Sequence, residues 1–345
     1  MNYPESLKKG DTIGICAPSA GIVKEEKIIR LDYAIATLKN MGYNVIETPS
    51  VRKEENGRSA SAEVRANEFM SLLENDDVKL ILFATGGDFL CEMIEKLDFE
   101  KIRGLKPKWM QGYSDITGIS YLFNTILEIP SMYCQTIKDY AMQPLFRNLV
   151  DALRIESGEE IVQDSFELYE AGWSAETDEE EKEFNPREGY NLVNKVEWKN
   201  LNDEPEIVME GRAVGGCLDC IRTYIGTKYD NVSNYIEKYK DDGIIWFLEC
   251  FEMSTPQLEL NLWQMKNAGY FNHCKGIIFG RSLFLREDYD ITMRDALKEA
   301  LGSLNIPIIY DADIGHKAPQ LAIVNGAMLK ITSANGKGKV ETKLR

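Results

Sequence analysis

The chain has little histidine, no long apolar run and a deficit of positive charge. His273 and His316 are the only histidines in 345 residues, so a reaction that needs an imidazole base must use one of them. No stretch of eighteen apolar residues occurs, so no membrane-spanning helix is expected. The opening residues, Met1 to Gly21, hold too short an apolar segment for a signal peptide, and a cytoplasmic protein is expected. Basic side chains number 40 against 56 acidic ones, a net charge of −16. Such a field repels nucleic-acid phosphates and anionic membrane surfaces, and neither is expected as a partner. No Gly-x-Gly-x-x-Gly follows the first strand and no P-loop lysine occurs, so no nucleotide cofactor is expected. Seven cysteines without framework spacing fit a reducing compartment better than a disulfide scaffold. Cys217 and Cys220 have redox or zinc spacing but no second pair, and no metal is expected.

What is present is an ordinary globular composition, 44% hydrophobic and 28% charged, at a length that suits two domains. Residues 12–16, 43–47, 78–84 and 109–111 read as strands. Between and after them, 24–41, 61–74, 89–97 and 115–127 read as helices; Ile28, Leu31, Ile35 and Leu38 mark one helix face. Alternating strand and helix predicts a Rossmann-like, mostly parallel, doubly wound α/β sheet over residues 1–160. The rhythm fails over 156–206, where Glu176, Asp178, Glu179, Glu180, Glu181 and Glu183 crowd together. Residues 161–206 are therefore expected as an acidic linker, or as a lid over a cleft. Strand signals at 243–248, 276–279, 307–310 and 321–324, with helical stretches at 257–268 and 290–301, predict a smaller, mixed α/β, β-rich domain over 207–345.

Of the two histidines, His273 lies among aromatic and apolar neighbours and reads as a packed structural residue. His316, in Asp-Ile-Gly-His-Lys-Ala-Pro, follows a strand in a Gly- and Pro-punctuated loop, where α/β proteins place reacting groups. Gly-x-Ser occurs four times, at Ser59, Ser114, Ser174 and Ser282. Only Ser114 has a strand before it and a helix behind, as a nucleophile elbow requires; helix capping is the competing role. A carboxylate to orient the imidazole is available at Glu249, where an apolar strand ends, with Glu252 as competitor. Gly86-Gly87 after the third strand would let backbone approach a substrate closely.

Taken in order, Gly10-Asp-Thr-Ile-Gly-Ile-Cys-Ala-Pro-Ser19, Gly86-Gly87, Gly112-Tyr-Ser-Asp-Ile-Thr117, Phe247-Leu-Glu249, Gly276-Ile-Ile-Phe-Gly280 and Gly315-His316 resemble the LD-carboxypeptidase A family of serine peptidases, which includes the microcin C immunity peptidases. The resemblance spans about residues 8–333. It implies a triad of Ser114, Glu249 and His316, an oxyanion hole from the Gly87 and Asp115 amides, a homodimer, and no metal or cofactor. It implies cleavage of an amide next to a free carboxylate, typically a terminal D-alanine of a murein tetrapeptide. In the microcin branch the substrate is an aminoacyl-nucleotide conjugate, and the length of 156–206 resembles that branch. Asp88, Cys217 and Cys250 depart from residues usual in the family. Asp88 and Cys217, with Gly86, are expected to touch substrate. Trp173 and Trp198 could stack on a base, although packing suffices to explain them. A glutamine-amidotransferase-like enzyme would need cysteine at the elbow. A non-catalytic protein that binds peptidoglycan fragments or small molecules would use Ser114 as a cap only.

Overall fold

The computed structural model describes residues 1–172 and 183–345. Two compact units make up the chain. The first holds Met1–Phe123, Leu127–Glu159 and residues 183–190; the second holds Asn124–Ile126, residues 160–172 and Asn191–Arg345.

In the first unit the chain runs β1 (Thr12–Cys16), α1 (Glu25–Asn40), β2 (Asn44–Glu47), α2 (Ala62–Glu74), β3 (Val78–Phe83), α3 (Leu90–Ile94), α4 (Phe99–Arg103), β4 (Trp109–Gly112), α5 (Thr117–Leu122), β5 (Ser131–Tyr133) and α6 (Arg147–Glu156). These five strands lie in the order β2-β1-β3-β4-β5, all parallel. Continuous apolar runs such as β3, buried or nearly so at every position, are what a sheet covered on both faces demands. Leu31, Ala34 and Leu38 bury one stripe of α1, and the Ser61 hydroxyl caps α2 by accepting from the Val64 amide. This strand order is doubly wound, with its switch point between β1 and β3. Loops leaving the carboxyl ends of β1, β3 and β4 carry Ser19, Gly86-Gly87 and Ser114.

The helix expected over 115–127 begins as a 3₁₀ turn, Ser114–Ile116, continues as α5 and ends in one π turn, Phe123–Leu127. A left-handed residue at Ser114 keeps the first turn from starting as a regular α-helix. The helix expected over 89–97 is shorter, because Asp98 caps a separate helix, α4.

The second unit contains β6 (Val162–Asp164), β7 (Leu168–Glu170), β8 (Leu192–Lys195), β9 (Lys199–Asn200), β10 (Glu206–Cys217), α7 (Leu218–Tyr224), α8 (Val232–Lys238), β11 (Ile244–Glu249), α9 (Thr255–Asn267), β12 (Cys274–Gly280), α10 (Met293–Leu301), β13 (Ile308–Ala312), β14 (Ile323–Asn325), β15 (Met328–Ala334) and β16 (Lys337–Lys343). An eight-stranded sheet runs β6-β16-β15-β10-β11-β12-β13-β9. Its centre, β10 to β13, is parallel and its flanks are antiparallel. Asn335-Gly336, both at positive φ, form the two-residue turn between β15 and β16. The stretch expected as loop thus contains four short strands, β6 to β9. The acidic run 176–181 and Trp173 lie outside the described residues. Among the described residues no helix is long and apolar enough to cross a membrane.

Candidate functional site

Each unit supplies one set of candidate groups. In the first, β4 ends at Gly112, and Ser114 takes φ +65° at the turn into the 3₁₀ segment. A serine at positive φ is strained by about 1–2 kcal/mol, and such residues cluster where a reactive side chain must be presented. The cap position of this turn belongs to Tyr113, and Ser114 is its first residue. Gly86 packs directly on the serine: a Cβ there would lie 2.9 Å from both Cβ and Oγ of Ser114 and 3.5 Å from the Asp115 amide nitrogen. Gly87 has φ +151°, and its N–H makes no hydrogen bond among the described residues. So Gly86, Gly87, Ser114 and the Asp115 amide come together at the carboxyl ends of β3 and β4. Asp88, next along, is exposed.

Sequence reasoning missed the scaffold behind this turn. The Asp115 carboxylate, 8% exposed, accepts from the Ser19 hydroxyl at 2.5 Å and from the Leu90 amide at 3.0 Å. Burial pushes its pKa up, against the pull of those two hydrogen bonds. On the far side of the loop, Arg65 Nη1 donates to the carbonyls of Pro18 and Phe89, both at 2.9 Å. Ser19 closes the Ala-Pro-Ser run that ends the first motif, which was the one signal available. Of the other Gly-x-Ser serines, Ser59 is buried and donates to the Ala17 carbonyl. Ser282 is buried beyond β12, and Ser174 lies outside the described residues.

In the second unit, β11 ends at the fully buried Glu249, whose Oε2 lies 3.0 Å from Nδ1 of the buried His316. An ionised carboxylate can only accept, so with Glu249 ionised Nδ1 is the donor and Nε2 is left as the ring nitrogen that can take a proton. Gly315, at φ +102°, makes the approach possible, since a Cβ there would lie 2.7 Å from Glu249 Oε2. The Phe251 ring packs on the imidazole with 4.6 Å between centroids. Glu252, the competing carboxylate, is exposed.

The loop that carries His316 is tied down by Asp313, a fully buried carboxylate that the sequence reading overlooked. It accepts from Arg281 Nη1 at 2.6 Å, Trp198 Nε1 at 3.0 Å and the Phe166 amide at 3.1 Å. Trp198 is therefore a buried anchor of this loop. His273, expected to be packed, is instead 43% exposed on a turn at φ +56°, with Nε2 3.3 Å from Glu237 Oε2. Its apolar neighbours fold inward while the turn points the ring outward. Cys217 pairs in register with Glu249 and donates to Asp219 Oδ2 at 3.5 Å. Burial first, with neighbouring acids, holds its thiol protonated well above the ordinary range. Among the described residues no group of three or more His, Cys, Asp or Glu is arranged to hold a metal ion.

A cavity of about 860 Å³ also lies in this unit. Lys195, Lys199, Arg281, Arg294 and Lys317 line it, against Glu197, Glu287 and Asp311. Lys317, next to His316, is half-buried, and its pKa is lowered by burial first and then by Arg281.

A doubly wound sheet presenting a strained serine, and a second sheet ending in a buried Glu–His pair, define a two-unit α/β protein. The chain belongs to the LD-carboxypeptidase family: the models of its N-terminal and C-terminal domains match residues 13–134 and 210–331. The microcin C7 self-immunity protein MccF of Escherichia coli is 27% identical over 95% of this chain and 92% of its own length. The "probable murein peptide carboxypeptidase" of Bacillus subtilis is 23% identical over 99% and 95%. MccF in complex with glutamyl sulfamoyl guanosine aligns over 100% of this chain and 99% of its own, with a TM-score of 0.80 at 20% identity. Muramoyltetrapeptide carboxypeptidase from Oxalobacter formigenes aligns over 96% and 99%, with a TM-score of 0.72 at 21% identity. The two structural likenesses bear on the fold.

Proposed function

We propose that the chain is a serine carboxypeptidase that hydrolyses an amide next to a free carboxylate, releasing the terminal D-alanine of a murein tetrapeptide. His316 Nε2 takes the proton of Ser114 as Oγ attacks the scissile carbonyl. The oxyanion forms against the Gly87 and Asp115 amides, each donor typically worth about 3–4 kcal/mol in the transition state. Glu249 holds the Nδ1–H tautomer and stabilises the imidazolium. His316 then protonates the leaving amine as the carbon–nitrogen bond breaks. Water, deprotonated by the same imidazole, attacks the acyl-enzyme, and the proton returns to Ser114 as the ester opens. The single observation that carries this reading is Ser114 at positive φ, packed on Gly86 beside a Gly87 N–H that makes no hydrogen bond among the described residues.

A second reading, cleavage of an aminoacyl-nucleotide conjugate, is favoured by the match to MccF over nearly all of both chains. Either substrate carries an anionic group, and Lys317, which follows His316, is one of the basic side chains lining the 860 Å³ cavity. Mass-spectrometric release of D-alanine from murein tetrapeptide, beside turnover of an aminoacyl-adenylate analogue, tests both. Cleavage by wild type and not by Ser114→Ala is expected. Equal cleavage by Ser114→Ala would overturn the mechanism.

A further inference from the structure

We infer that the Asp115 side chain is a positioning residue: through Ser19 and the Leu90 amide it holds the Gly86-Gly87 loop in register with the turn that carries Ser114. The inference rests on the hydrolytic reading above and extends it from the Asp115 backbone to its carboxylate.

The origin of its donors separates this role from ordinary helix capping. Both hydrogen bonds converge on one oxygen, Oδ2, and neither comes from the helical segment to which Asp115 belongs. One arrives from the loop after β1, the other from the residue that closes the loop after β3. Three loops at the carboxyl ends of β1, β3 and β4 therefore meet at one carboxylate. At 8% exposure the side chain is disfavoured as a charge by burial, and its two donors offset that cost, so what the site uses is an oxygen held in place. Of the charges facing it, Asp88 opposes its ionisation and Arg65 favours it.

What is held is a segment that would otherwise wander. Two consecutive glycines have more backbone freedom than any other pair, and Gly87 sits at φ +151°. Between Thr85 and Phe89 the other ties among the described residues are the Ala20 amide to the Gly86 carbonyl at 3.2 Å, Lys138 to the Thr85 hydroxyl at 3.2 Å, and Arg65 and Arg58 on the Phe89 carbonyl and ring; none holds Gly87 itself. The Gly87 N–H needs a fixed direction to serve a developing oxyanion, and a displacement of about 1 Å can cost about 10²-fold in rate. Ser19 touches both ends of the arrangement. Its Oγ bonds Asp115 and occupies the space where a Gly87 Cβ would go.

The test compares Ser19→Ala, Asp115→Ala and Asp115→Asn in steady-state kinetics on whichever substrate the wild type cleaves. Asparagine keeps an oxygen able to accept from both donors, so it is the conservative rescue. Ser19→Ala is expected to lower kcat about tenfold and Asp115→Ala about 10²-fold, with KM within about twofold. Asp115→Asn is expected to stay within about threefold of wild type, since position matters here and charge does not. A phosphonate mimic of the tetrahedral intermediate should lose affinity by the same factors as kcat. Wild-type kcat in both Ser19→Ala and Asp115→Ala, or losses confined to KM, would overturn the assignment. Should Asp115→Ala fail to fold, Ser19→Ala carries the comparison alone. Wild-type labelling at Ser114 by a fluorophosphonate is measured first. Its absence together with absent turnover would sink the hydrolytic reading itself, a result distinct from failure of the positioning role.

Discussion

Two fully buried glutamates, one in each unit, are treated in opposite ways. In the second, Glu249 is fully buried and kept in company by His316 Nδ1 at 3.0 Å. In the first, Glu156 at the end of α6 is equally buried, but neither of its carboxyl oxygens has a hydrogen-bond partner among the described residues. Burial alone pushes its pKa well above the ordinary carboxyl value. A buried charge with a partner can serve chemistry, because the partner's proton is what it controls. A buried acid with none is a packing group. The nucleophile side of the candidate site, in the first unit, relies on backbone strain at Ser114, on glycine and on the Asp115 carboxylate, not on a buried Glu–His pair.

The comparison is broken most severely by removing the charge that has a partner. Glu249→Gln leaves the shape in place, but an amide can present either a donor or an acceptor to Nδ1. It no longer enforces the Nδ1–H tautomer, nor does it stabilise an imidazolium. The expected fall in kcat is about 10⁴-fold with little change in KM, read by steady-state kinetics on the cleaved substrate. A loss below about tenfold would show that Glu249 orients nothing.

Removing the acid without a partner should do the reverse, leaving catalysis alone and changing stability with pH. The folded-state pKa of Glu156 lies above its unfolded value of about 4.5. Its contribution to stability is therefore complete below that value and is lost as pH rises toward the folded pKa. The loss runs at about 1.4 kcal/mol per pH unit between the two. Glu156→Gln should lack that slope, so the stability difference between variant and wild type widens from pH 5 upward in denaturant melts. Parallel pH profiles would mean that Glu156 finds a partner for its charge.

Much of this contrast is readable in the amino-acid order, and the unread parts share a cause. The strands of the parallel sheets announce themselves as continuous apolar runs, and the choice of His316 over His273 follows from loop context alone. Strand β10 escaped because acids at its exposed positions Glu206 and Glu210 flank the exposed Val208, so polarity does not follow burial, and its second half is rich in glycine. The β15–β16 hairpin escaped although Asn335-Gly336 signals it. Strands β6 to β9 are two to four residues long, too short for any period to show. The Asp115–Ser19 bond joins residues 96 positions apart, and the anchoring of Asp313 by Arg281, Trp198 and Phe166 reaches across up to 147. No local pattern carries such contacts; they arise only once the sheet order brings three loops to one edge. His273 shows the converse error, since apolar neighbours in sequence do not bury a residue that a left-handed turn points outward.

The smallest effect is the most direct test of strain. Serine at φ +65° costs about 1–2 kcal/mol relative to an ordinary conformation, and glycine escapes that cost. Glycine also gains freedom in the unfolded chain, which takes back about 0.5–1 kcal/mol. The difference predicts that Ser114→Gly loses all activity yet melts at or above wild type, higher by about 1–2 °C. Ser120→Gly is the control, because Ser120 lies within α5 and gains nothing from left-handed freedom. That variant should melt lower, since glycine inside a helix costs about 0.5 kcal/mol relative to serine. If the two variants fall by the same amount, Ser114 stores no strain, and the first unit presents its serine by packing against Gly86 alone. If they move in opposite directions, part of the stability of the first unit is being held in reserve at one residue, where a buried Glu–His hydrogen bond does the equivalent work in the second.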